Sequence, residues 1–427
     1  MKLSRNAKNA FMLGTLCSIA YFAVYIARNV LGVVTPQLTK LGFAEDEYIA
    51  PLSSLFLIFY AIGQLINGAI GDKIKARWML SIGLCGAGIT NILFTVLVPT
   101  TPATAMIVYA LTGFFLSMIY GPMTKLVSEN TEPIHAVRCS VGYTFASLFG
   151  SPAAGLLAAF LVWQNVFAVS SFALFAMAAA CFVLIFVFEK KGIVKYGHIK
   201  PDKKKGGSVK VLFKHHIVKF SFVAILTGIV RTSVVFWLTT YAEKLLKFDT
   251  NQSATIFSIA TFFISFTAII AVFIYERLKR DVNVSLLIMF ASSVVFFVLT
   301  FFTSLNTESM VMKILNIACI IIAIMSANGA SSMLWSVYCP SLKQTGVVSG
   351  ATGFLDFLSY TGAAIANIVF ANAVKDIGWG NLILVWAGLM VIGVIISLPF
   401  KGTWTKAEEN TESKEERFSQ INLSICH

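Results

Sequence analysis

Residues 21–36 read Tyr21-Phe-Ala-Val-Tyr25-Ile-Ala-Arg28-Asn29-Val-Leu-Gly32-Val-Val-Thr35-Pro36. Arg28 lies inside an apolar stretch that runs from about Ala10 to Leu38, which is long enough to cross a bilayer as a helix. A second arginine, Arg231, lies inside another such run. A guanidinium is not deprotonated in a protein. At the bilayer centre it costs roughly 2.5–3.5 kcal/mol on insertion scales, and such side chains line a water-filled path or face a partner ion. Few embedded acids are available to neutralise the pair, so the missing partner is read as an anion that comes and goes.

Composition sets the class. Of 427 residues, 57% are hydrophobic and 12% charged, with a mean hydropathy of +0.80. A soluble domain carries about 25% charged residues, so a polytopic membrane protein is expected. The first apolar stretch is too long for the core of a cleavable signal and reads as the first transmembrane helix. The formal charge of +13 does not point to nucleic acid, because the lysines sit in short loops between apolar spans. Seven cysteines (17, 85, 139, 181, 319, 339 and 426) occur singly and read as buried thiols and a free terminal one. All five histidines fall in loops or the tail. No Walker loop, H-E-x-x-H or G-x-S-x-G is present. An enzyme is therefore not expected, and neither a metal nor a cofactor is called for.

Apolar spans recur at 10–36, 49–71, 78–98, 103–126, 138–161, 165–188, 217–241, 252–275, 283–303, 310–337, 345–372 and 380–400. The longest break, 189–216, is rich in lysine. The expected organisation is a six-helix bundle over 1–188, a basic cytoplasmic linker over 189–216, a second six-helix bundle over 217–400 and a polar tail over 401–427. With an even number of spans both termini share a side. That side holds 26 of the 33 Lys and Arg residues; the other holds Lys40, Lys244, Lys247, Lys313 and Lys375. The positive-inside rule makes the richer side cytoplasmic. A monomeric carrier is expected in a bacterial cytoplasmic membrane, with lipid and a small anionic substrate as its partners and no nucleic acid.

The halves echo one another. Arg28 and Arg231 are 203 positions apart, and Asp72 and Glu276 are 204 apart, as are Lys75 and Lys279. This suggests a duplicated six-helix unit, which places a substrate site between the repeats near the midplane. On the Arg28 helix, Tyr21, Tyr25, Arg28, Gly32 and Thr35 recur at helical spacing. Two phenols beside a planar five-donor fork make an oxyanion seat. In the seventh span Arg231 is followed by Trp237, Thr240 and Tyr241. Asp356 is an acid inside span 11, able to pair with an arginine, meet substrate hydroxyls or take up a proton. Gln64 with Asn67, and Asn328, are candidates to reach hydroxyls, although polar helix–helix contacts are the commoner role for amides.

The loop after span 2, Gly68-Ala-Ile-Gly-Asp72-Lys73-Ile-Lys75-Ala-Arg77, resembles the G-x-x-x-D-[RK]-x-[GK]-x-[RK] signature of the major facilitator superfamily. That resemblance implies an all-α membrane fold of twelve helices in two pseudo-symmetric six-helix bundles. Asp72, Lys75 and Lys125, with the looser echo at Glu276 and Lys279, become gating candidates. Tyr21-x-x-x-Tyr25-x-x-Arg28-Asn29 with Pro36-Gln37-Leu38 is similar to the first helix of the organophosphate:phosphate antiporters. The spacing Arg231…Trp237…Thr240-Tyr241 is similar to their seventh helix, and Gly346…Gly350-x-x-Gly353-Phe354…Tyr360-x-Gly362 to their eleventh. By that resemblance Arg28 and Arg231 bind the phosphate group of glycerol phosphate or a hexose phosphate, exchanged for inorganic phosphate by alternating access. Tyr21, Tyr25, Gln64, Trp237, Asp356 and Tyr360 complete the expected substrate site. The departures concern the organic moiety. Gln64 stands where glycerol-phosphate members have a lysine, Ala146 or Ser147 where they have a histidine, and Asp356 where they have a small residue. Two other readings stay open: a proton-coupled carrier of a carboxylate or other organic anion, with Asp356 as the protonating group, and a sugar-phosphate receptor of the same fold.

Overall fold

Hydrocarbon offers backbone amides no partner, so apolar runs of this length must satisfy their hydrogen bonds internally as helices. A computed structural model bears this out and describes residues 5–42, 46–71, 74–196, 216–339 and 348–398. Among the described residues every regular element is helical. The first half supplies α1 (Arg5–Lys40), α2 (Asp46–Gly71), α3 (Ala76–Leu97), α4 (Pro102–Leu116), α5 (Tyr120–Asn130), α6 (Pro133–Phe160) and α7 (Trp163–Lys190). In the second half, α8 (Ile217–Gly228) passes through a π-helical turn (Ile229–Val234) into α9 (Val235–Lys244). Then come α10 (Thr250–Ser265), α11 (Thr267–Arg277), α12 (Val282–Ser304), α13 (Met310–Met333) with a second π turn (Leu334–Tyr338), and α14 (Val348–Ser397).

Among the described residues ten helices are long and apolar enough to cross a membrane. The expected span at 138–161 falls in the 28-residue α6, whose described apolar part is Phe149–Phe160. The spans expected at 345–372 and 380–400 share α14, which breaks at Gly378. Its φ of 76° and ψ of 166° suit only a residue without a Cβ. The residues at 1–4, 43–45, 72–73, 197–215, 340–347 and 399–427 lie outside those described. With them go Asp72, Gly346, most of the central lysine run and the tail.

The polar breaks carry the caps. Asp249 accepts from the Gln252 amide while the Gln252 side chain answers the Asp249 amide, closing a capping box at the start of α10. Asp281 accepts from the amides of Asn283 and Val284 to start α12. Outward faces remain apolar, with Phe160 84% and Phe172 75% exposed, as lipid contact requires.

Inside, small residues set the helix spacing. A Cβ on Gly113 of α4 would stand 2.3 Å from the Phe56 carbonyl oxygen of α2, and one on Gly150 of α6 would stand 2.5 Å from Tyr25 Cβ of α1. A Cβ on Gly155 of α6 would likewise meet the Ser258 hydroxyl and would stand 2.9 Å from the Ala254 carbonyl oxygen of α10. Gly113→Ala is therefore expected to cost about 1–3 kcal/mol by overpacking. It should lower the melting temperature in detergent, whereas Gly121→Ala, with no heavy atom within 4 Å of its added methyl, should not. Paired thermal melts check this.

Candidate functional site

Three packing contacts bring the second arginine to Tyr360, the ring it shares with the first. Gly228 sits against Ser359 of α14, where a Cβ would lie 2.5 Å from the Ser359 carbonyl oxygen. The Ser233 hydroxyl donates to the Ala363 carbonyl at 2.7 Å. Gly362 packs on Ile225. These zip the π turn carrying Arg231 along the stretch of α14 that carries Tyr360. On the other side, Asn29 of α1 donates to the Tyr25 carbonyl (2.7 Å) and to the Ser151 hydroxyl of α6 (3.0 Å), fixing the face that presents Arg28.

The result is one aromatic ring shared by two cations. The Arg28 guanidinium carbon lies 4.8 Å from the Tyr360 ring centroid and that of Arg231 lies 5.6 Å from it, so their separation is capped by the two distances together. Arg28 also faces Tyr60 at 4.9 Å and Tyr25 at 5.8 Å. Tyr60 and Tyr360 meet edge to face at 5.0 Å. The π faces attract the cations, but they do not use up the N–H donors. Arg231 Nη2 is buried without a hydrogen-bond partner.

Both arginines line a cavity of about 260 Å³, with Tyr25, Asn29, Gly32, Tyr109, Phe236 and Tyr360 among its walls. No carboxylate is among its described lining residues. Asp356 is half-buried outside that wall, within electrostatic range of Arg231 and Arg28. Among the described residues it makes no salt bridge.

The other expected site residues divide. Tyr25 and Tyr360 line the cavity. Tyr21 stands one layer away, its ring 5.0 Å from Tyr25 and 5.6 Å from Tyr120. Gln64 is half-buried and is not among the described lining residues. Trp237 is not among them either; it is buried in the second half, its ring 6.2 Å from Trp379, and Tyr241 beside it donates to Asn316 at 2.5 Å. Its neighbour Phe236 takes the wall position. The sixth residue after Arg231 lies about a third of a turn from its face on an α-helix, so Trp237 stays off the wall, and the π turn leads instead into Val235 and Phe236, which line it. Asn328 reaches the wall, whereas Asn67 donates to Ser117 Oγ at 2.7 Å as a helix–helix contact. Sequence reasoning missed Ser53, Ser151, Thr232, Thr261, Ser265 and Asn367. A serine or threonine in an apolar helix usually bonds its own backbone, so no local signal marked the five hydroxyl residues, whereas Asn367 carries the same embedded-amide signal as Asn328.

Of the gating candidates, Lys75 lies over the Tyr196 ring at 5.8 Å, Lys125 is half-buried, and Glu276 and Lys279 are exposed. Among the described residues no ion pair joins Lys75, Glu276 or Lys279 to the opposite half. Arg77 pairs with Glu189 at 2.9 Å, within the first half. Burial, and then the Glu189 carboxylate that accepts a hydrogen bond from its hydroxyl, push the Tyr196 phenol above its usual range. The halves instead meet at the end of α1 remote from the N-terminus. There Lys40 pairs with Glu243 at 2.8 Å and donates to Thr250. Thr239 donates to the Gly32 carbonyl at 2.7 Å, and Ser258 to the Pro152 carbonyl at 2.9 Å.

A family model described as the Major Facilitator Superfamily matches residues 17–366. The chain belongs to that superfamily. It is 21% identical over 418 residues to the membrane sensor protein UhpC of Escherichia coli strain K12, covering 91% of this chain and 92% of that one. It is 19% identical over 429 residues to a probable hexose phosphate transport protein of Chlamydia muridarum, covering 91% and 90%. In fold it is similar to a bacterial homologue of the human lysosomal transporter Spinster in an inward-facing, unoccupied conformation. There the TM-score is 0.71 at 11% identity, over 92% of this chain and 97% of that one. Its relatives in sequence and fold are transporters and a sensor, and the chain is a multi-pass membrane protein of that superfamily rather than an enzyme.

Thr239 tests the seam. Thr239→Val keeps the shape and leaves the Gly32 carbonyl unpaired, at a cost of about 1 kcal/mol or more to the closed seam, roughly a fivefold population change. In a background without native cysteines, spin labels on Leu41→Cys and Asn251→Cys should show a larger long-distance population.

Proposed function

We propose that the protein is a secondary carrier that exchanges a phosphate ester, of the glycerol phosphate or sugar phosphate class, for inorganic phosphate by alternating access. The observation that carries this reading is one cavity lined by Arg28 and Arg231, with no carboxylate among its described walls and an unpartnered Arg231 Nη2. A divalent oxyanion supplies what such a wall lacks: two negative charges and acceptors for two planar forks. At about 8 Å and an effective dielectric constant of about 20, two guanidiniums repel by roughly 2 kcal/mol. An anion bridging them removes that repulsion and draws the halves together. A ligand shifts a conformational equilibrium only by its differential affinity for the two states. A carrier that crosses its closed intermediate easily only when occupied performs exchange. The full-length relative whose name includes hexose phosphate transport supports the ester class.

The full-length similarity to a membrane sensor keeps a second reading in play, in which the same site binds a sugar phosphate and reports it. Asp356 outside the described wall favours an electrostatic partner for the arginines over a proton-accepting site in direct contact with cargo.

Proteoliposomes separate these readings. Phosphate-loaded vesicles should take up labelled phosphate without a proton gradient, and glycerol phosphate or hexose phosphate should compete. Arg28→Lys and Arg231→Lys should each reduce exchange by about tenfold to a hundredfold, because an ammonium cannot reproduce a bidentate fork. Wild-type rates in both variants would refute the two-arginine site. Saturable binding of the ester with no flux would replace the carrier with the sensor.

A further inference from the structure

Among the described wall residues one atom besides Arg231 Nη2 is buried without a partner: Asn367 Oδ1. Asn367 is on α14 and Ser53 on α2, and both line the cavity. The Ser53 hydroxyl donates to the Ala50 carbonyl at 3.0 Å, so towards Asn367 it acts as an acceptor. Asn367 meets it with Nδ2, at 2.9 Å. The network thereby fixes which way the amide lies and leaves Oδ1 over. An amide oxygen only accepts, so its missing partner is a donor. One residue along, Ser54 donates to the Ala364 carbonyl at 2.6 Å, tying the same two helices and holding the acceptor in place.

We infer that Asn367, oriented by Ser53, is the residue that reads a hydroxyl group of the organic moiety, and that it selects hydroxylated phosphate esters over alkyl phosphates. This rests on the phosphate-ester reading above, with the arginines taking the phosphate. Asn367 is fully buried against Ser53 in this state, so it accepts an O–H from the polyol or sugar as the two helices part. An alkyl phosphate of equal length leaves Oδ1 unpaired, and sites built to bond a hydroxyl reject analogues lacking it far more strongly than apolar pockets reject an added one. Neither Ser53 nor Asn367 carries charge, so the pair leaves the anion-attracting field of the wall unchanged.

The test compares glycerol phosphate and a hexose phosphate with propyl phosphate as inhibitors of labelled-phosphate uptake into phosphate-loaded proteoliposomes. For the wild type, the hydroxylated esters should inhibit at concentrations about tenfold or more below propyl phosphate. In Asn367→Leu that ratio should fall towards one, and Ser53→Ala, which frees the amide, should shrink it as well. Arg28→Lys should weaken all three esters together. If Asn367→Leu is not monodisperse after purification, Ser53→Ala carries the test. A wild-type ratio near one overturns the assignment, as does an unchanged ratio in a folded Asn367→Leu or, in its place, Ser53→Ala. Absence of any phosphate counterflow in the wild type is a different failure: it removes the exchange reading itself, and this inference with it.

Discussion

Two like charges on one aromatic ring is the arrangement around which this protein is organised. Arg28 and Arg231 both face Tyr360, one from each half of the chain. The ring quadrupole attracts each cation, by an amount that grows where water is excluded. It does not neutralise them, and no carboxylate among the described wall residues does so. A lone cation in a membrane interior is tolerated where a cavity or a partner relieves it. Here the relief is a cavity, and its walls hold unspent donors. Under the proposed function, affinity for an oxyanion follows from charge that the fold supplies and leaves unmet.

That arrangement depends on close backbone contact. Arg231 reaches Tyr360 because Gly228 lets α8 lie on Ser359 of α14, and because Ser233 bonds the Ala363 carbonyl. The π turn at Ile229–Val234 adds its own displacement of register and sets Val235 and Phe236, rather than Trp237, in the wall. On the opposite side Gly150 admits Tyr25 and brings α1 against α6. Each contact trades side-chain volume for proximity, the usual bargain in helix packing within lipid. A larger side chain at any of these glycines would move an arginine without touching it.

The same economy governs the seam. Between the halves, described contacts at the far end of α1 include short hydrogen bonds to backbone carbonyls, an ion pair with one exposed partner, and close helix packing such as Gly155 on Ser258 and Gly32 on Phe236. An exposed ion pair contributes little on its own. These modest polar contacts add to the helix packing that closes one end of the cavity. Asn367 and Ser53 belong to that seam and to the cavity wall together, so under the proposed function the residues that read cargo lie where the two halves meet.

Membership of a polytopic helical class was legible in the chain itself, because hydrocarbon imposes a single rule on any segment of about 20 apolar residues: satisfy the backbone within the helix. Arg28 and Arg231 were legible for a related reason, since a permanent charge in an apolar run is costly enough to stand out. Their nearness to each other, the shared Tyr360 ring and the identity of the uncharged wall residues were decided only by tertiary packing. Ser53 and Asn367 are 314 positions apart and look, one by one, like any small polar residue in a membrane helix. Trp237 was expected in the site from a family resemblance, and it lies outside the described wall because it sits about a third of a helical turn from the face of Arg231. Local energetics shows in composition and periodicity; the meeting of two helices does not, since it depends on shape along both surfaces at once.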